Sequence, residues 1–138
     1  MIMKNSDVVF DENLEFYTPI GETSKEICIV LSDDLNASEE ALTDKYKSQI
    51  SGFINDYSKW YEKALIVIKA WSEKKYNITS EGNNIQLINI FILFEQGESE
   101  LYGLEFGIDF DIEHGCGLKI TTDDYHIIEI GNADIAFC

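Results

Sequence analysis

The stretch LTDKYKSQISGFINDYSKWYEKALIVIKAW, residues 42–71, decides the fold. Its apolar side chains fall at Leu42, Tyr46, Ile50, Phe53, Tyr57, Trp60, Ala64, Ile68 and Trp71, always three or four residues apart. That period puts them on one side of an α-helix, with Lys45, Lys47, Lys59, Glu62, Lys63 and Lys69 on the other. Upstream, Asn36 or Ser38 can cap the helix, and Glu39 and Glu40 suit its positive end. The predicted helical segment covers about residues 38–75 and would be roughly 55 Å long if straight. A single small domain is narrower than that. Ser51-Gly52 and Asn55-Asp56 are the weak points, because Gly and Asx residues lower helix propensity. Two helices, or one bent helix, lying on one face of a sheet are expected. The aromatic side chains of the stripe read as core packing, with one or two left as interface anchors.

The flanking sequence is β-prone. VVF (8–10) and LEFY (14–17) are short runs around Asp11-Glu12-Asn13, PIGET is a turn, and KEICIVLS (25–32) has the length and apolarity of a well-covered strand. NITSEGNN (77–84) is a polar loop, and IQLINIFILFE (85–95) reads as one long strand. LYGLEFGIDFDIE (101–113) alternates, with Leu104, Phe106, Ile108, Phe110 and Ile112 on one face and Glu105, Asp109, Asp111 and Glu113 on the other. HGCG is a turn or bulge. Two or three short strands follow, with Asp123-Asp124 and Gly131-Asn132 as turns. The expected class is α+β: N-terminal strands, the helical segment, then a C-terminal antiparallel meander, in a single domain spanning residues 1–138.

Composition narrows the function. The chain carries 10 basic and 26 acidic side chains, a net charge of −16. Such a field repels nucleic acid and steers a basic protein partner inward. Residues 76–138 hold one lysine, Lys119, and 12 acids, so the acidity concentrates in the C-terminal half. Every basic residue is Lys, which removes the bidentate arginine clamps of phosphate chemistry. No apolar run is long enough to span a bilayer, and the start lacks the apolar core and cleavage site of a signal peptide. Cys28, Cys116 and Cys138 form no C-x-x-C pair, so a reducing, cytoplasmic compartment is expected and a disulfide scaffold is not.

The densest candidate chemistry is Asp109-x-Asp111-x-Glu113-His114. Carboxylates at this spacing can hold Ca²⁺ or Mg²⁺. An EF-hand loop fails, since its Gly and Glu positions are His114 and Ile120. The competing reading is the solvated face of an edge strand, whose charges block pairing. His126 reads as a structural histidine of a strand. A nucleophilic Cys116 has little support, and there is no phosphate-binding loop or nucleophile elbow.

The run from Leu104 to Leu118, with Glu113-His114-Gly115-x-Gly117 at its heart, resembles a motif of small uncharacterised bacterial domains. Their motif continues into a strand and an ending like Ile130-Gly131-x-Ala133-Asp134, and some relatives carry Trp where Phe110 stands here. Some of these domains lie beside polymorphic toxins and are suspected immunity proteins. The resemblance covers about residues 101–138 and implies no catalytic residues. The glycines also suit a plain structural corner.

Together these readings favour a non-enzymatic acidic binding protein, an immunity protein that covers a basic, nuclease-like toxin. Its contact groups would be Glu105, Asp109, Asp111, Glu113, Asp123 and Asp124, with no cofactor. The alternatives are a divalent-metal enzyme or binder using Asp109, Asp111, Glu113 and His114, and an oligomerising module.

Overall fold

A computed structural model describes residues 2–21, 25–76, 85–109 and 111–137. Six strands form one mixed sheet: β1 (Glu15–Pro19), β2 (Glu26–Leu31), β3 (Ile85–Ile92), β4 (Leu101–Ile108), β5 (Cys116–Thr121) and β6 (Ile127–Gly131). Their spatial order follows the chain, β1 through β6. Every neighbouring pair is antiparallel except β2 and β3, which run parallel in the register Cys28↔Asn89 to Leu31↔Ile92. Parallel neighbours need a long crossover, and here α1 (Asp44–Asn55) and α2 (Tyr57–Tyr76) supply it. The α+β class stands. The N-terminal strands join the meander through the parallel β2–β3 pair, and Val8-Val9-Phe10 forms no strand.

The helical segment breaks at Asp56, one of the two expected weak points. It begins later than predicted. Residues Asn36–Glu39 form a 3₁₀ turn, and the Ser38 hydroxyl donates to the Leu35 carbonyl instead of capping a helix. Glu95 takes the Asn36 and Ala37 N–H groups, and Gln96 accepts from the Thr43 N–H. The helix cap is Thr43, whose hydroxyl accepts from the Tyr46 N–H at 3.1 Å.

The helices cover one face of the sheet. Phe53 stacks between Tyr102 (3.8 Å between ring centroids) and Trp60 (4.7 Å), and the Trp60 indole donates to the Phe53 carbonyl. Tyr46, Ile50, Trp60, Ala64 and Ile68 are buried against Ile29, Ile90, Leu104, Phe106 and Leu118. The predicted stripe is therefore the core, with Leu42, Tyr57 and Trp71 only half-buried.

The opposite face is closed only in part. A terminal 3₁₀ turn, Ala133–Ala136, lies over β4 and β5. A Cβ on Gly103 would stand 1.7 Å from the Ala136 carbonyl oxygen, and one on Gly117 would be 2.7 Å from that of Asn132. Only glycine allows this backbone-on-sheet contact. Among the described residues no helix is long and apolar enough to cross a membrane.

Candidate functional site

The six acids proposed as contact groups divide among three places. Glu105 sits in mid-β4 on the face away from the helices, where its carboxylate accepts from the Asn89 amide at 2.7 Å. Asp109, Asp111 and Glu113 lie in the connection from β4 to β5, and Asp123 and Asp124 in the turn from β5 to β6. The pairing Leu101↔Thr121 and Phe106↔Cys116 sets these two connections at opposite ends of β4. An eight-residue strand separates them by roughly 25 Å.

The expected single strand face from Leu101 to Glu113 is corrected. β4 stops at Ile108, and Ile112 is 84% exposed instead of sharing the Leu104 face; Phe110 lies outside the described residues. Asp111 is what turns the chain. Its carboxylate accepts from the Tyr76 hydroxyl at the end of α2 and lies 2.8 Å from His114 Nδ1, while its carbonyl accepts from the Gly115 N–H. The Tyr76 and His114 bonds hold the Asp111 carboxyl below the usual carboxylate range. Burial, then the bond to Asp111, pushes Tyr76 up to about 12.

This explains the Glu-His-Gly-x-Gly run as a corner. The His114 carbonyl accepts from the Ala133 N–H at 2.8 Å. Gly115 adopts φ +60°, and a Cβ there would stand 2.9 Å from the Phe106 carbonyl oxygen. Gly117 lies under Asn132 and Ala133. The two halves of the motif, 113–117 and 130–134, are thus in contact with each other. Cys116 is fully buried, and burial pushes its thiol up to about 12, far from a nucleophilic thiolate. Cys28 and Cys116 are free; Cys138 lies outside the described residues.

Among the described residues no three His, Cys, Asp or Glu side chains gather as a metal ion would require. Both Asp111 oxygens already have protein partners.

The other end of β4 is built differently. An open cleft of about 730 Å³ is lined by Gln49, Glu100, Thr122, Asp123, Asp124, His126 and Ile128, among others. Asp124 and Tyr125 both have positive φ, 55° and 48°, the pattern of a tight hairpin turn that Asn-Gly usually supplies. Lys63 secures it by donating to the Asp124 and Tyr125 carbonyls, and the Tyr125 hydroxyl reaches Asp56. His126 sits in this turn, exposed, rather than inside a strand as expected. Glu100 holds the Tyr102 and Thr122 hydroxyls.

Charge is divided unevenly between the two helices and the rest of the chain. α1 and α2 hold seven of the ten lysines and three acids, net +4, so the rest of the sequence is net −20. Dividing the sequence at its middle hides this, because the helix lysines are averaged with N-terminal acids.

These features define an α+β protein with one structural corner and one acidic hairpin end. No protein-family profile, curated protein or solved structure matches the chain.

Proposed function

We propose that this chain is a non-enzymatic acidic binding protein, an immunity protein that neutralises a basic, nuclease-like bacterial toxin by covering its active surface. The observation that carries the reading is the sorting of charge, net +4 on the helices and net −20 elsewhere. A basic partner is steered to the sheet and its loops and away from the helices. Of the six candidate acids, Asp123 and Asp124 line the cleft at the hairpin end. Asp111 holds the corner instead, and the metal reading gains nothing from a carboxylate so engaged. The resemblance of residues 101–138 to suspected immunity domains points the same way, and free cysteines suit a reducing cytoplasm.

The test is capture from the native host with the tagged chain, washed at low and then high salt. The expected result is one basic protein, retained at low salt, whose toxicity falls when this chain is co-expressed. A partner without net positive charge, or toxicity unchanged by co-expression, rejects the reading.

A further inference from the structure

We propose that the free edge of β6 takes up an extended, cationic segment of the partner, which joins the sheet as a seventh strand. This rests on the binding reading above and adds the mode of contact. The strand order leaves β1 and β6 as the two edges, and among the described residues no strand lies beyond either. An edge strand presents a row of backbone N–H and C=O groups that another chain can pair.

The two edges differ. β1 ends in Pro19, which has no N–H to offer, and its flanks are turned by Leu14 and Gly21, both at positive φ. β6, Ile127–Gly131, contains no proline, and a β-bulge at Ile128 is the one irregularity in its pairing with β5. Natural sheets guard such an edge with charge, but Glu129, the one charged residue of β6, lies 3.5 Å from Lys119 of the neighbouring strand. Ile128 is 51% exposed and lines the acidic cleft, so an apolar side chain of an incoming strand meets it there.

Charge selects the occupant. Residues 120–138 contain no lysine, and Asp123, Asp124, Glu129 and Asp134 lie within or beside β6. Lys63 and Lys75 approach its two ends, each already donating, to the Asp124 and Tyr125 carbonyls and to Asn132. A second copy of this chain would bring the same four acids and its own −16 against them. A strand alternating basic and apolar residues fits both the backbone row and the field.

The probe is a seven-residue peptide alternating Lys and Val, beginning and ending in Lys, titrated into the full chain at low salt. Its control has the central Val replaced by Pro, with the same charge and one backbone donor fewer. The alternating peptide is expected to bind about tenfold more tightly and to slow amide exchange at residues 127–131. Ile128→Lys should weaken it by a similar factor while leaving the urea midpoint nearly unchanged. Equal affinity for the two peptides, or protection outside β6, overturns strand pairing and leaves the acidic-binder reading standing. Failure of both peptides to bind overturns the two together.

Discussion

The Tyr125 hydroxyl donates to the Asp56 carboxylate at 2.9 Å, and so joins the tip of the β5–β6 hairpin to the break between the helices. Asp56 also lies 3.7 Å from Lys59. The bond holds Tyr125 in a backbone conformation that a bulky residue seldom adopts. Tyr125→Phe is expected to cost about 1 kcal/mol in urea unfolding and to raise amide exchange at residues 122–126. If the exchange rates are unchanged, the turn does not depend on this tether.

Two glycine substitutions should act in opposite directions. Gly103→Ala drives a methyl into the Ala136 carbonyl and displaces the terminal turn from the sheet, at a cost of about 2–4 kcal/mol. Gly52→Ala, inside α1 with nothing within 4 Å of the new Cβ, should stabilise by about 0.5–1 kcal/mol. Denaturation midpoints of the pair check both signs.

The dependence of stability on pH follows from Asp111 at one end of the scale. Its pKa is lowered in the fold, so its contribution is complete above about pH 4 and is lost as pH falls through the lowered value. Tyr76 and Tyr125 act at the other end. Both are raised to about 12, so the unfolded chain loses these protons first, and stability should decline between about pH 10 and 12. Tyr76→Phe should reduce both the acid and the alkaline loss, as read from thermal midpoints across pH.

Phe53→Ala removes the middle ring of the Tyr102–Phe53–Trp60 stack and should cost about 3–5 kcal/mol. A loss below about 1 kcal/mol would mean that the stack is not central to the core.

For the partner, Asp123→Asn with Asp124→Asn keeps side chains that tolerate the turn and removes two charges. The association rate with a basic partner should fall several-fold at low salt and converge on that of the unaltered chain at high salt. Stability should move by less than about 0.5 kcal/mol. Glu113→Gln, at the far end of β4, should change the rate less.

What the sequence revealed was local. The three-and-four spacing from Leu42 to Trp71 exposed the core face, and Asn55-Asp56 marked the break, because both depend on neighbours along one helix. The helix start was misplaced because Glu95 and Gln96, more than fifty residues away, hold residues 36–43. The strand expected to run to Glu113 ends early because Asp111 is captured by Tyr76, 35 residues upstream. No pattern in either segment announces such partners. At the motif, the glycines were legible as a turn, yet the contact between Gly117 and Asn132–Ala133 needed the folded chain. At the hairpin end the turn and its acids Asp123 and Asp124 were legible, but the corner itself, Asp124-Tyr125, was not, because Asp-Tyr is an unusual occupant of a turn that favours Asn-Gly.

The parallel pairing of β2 with β3 also bears on how the chain finds its fold. The β1–β2 hairpin and the β3–β6 meander join strands close in sequence, whereas Leu31 and Ile92 must meet across both helices. Closing that large loop is the entropically expensive event, and contacts of high sequence separation slow folding. Ile29→Val and Ile90→Val, at the seam, should therefore slow refolding, while Ile130→Val at the far edge should mainly speed unfolding. The one non-local seam in the sheet would then be its kinetic gate, passed last by two halves that are already shaped.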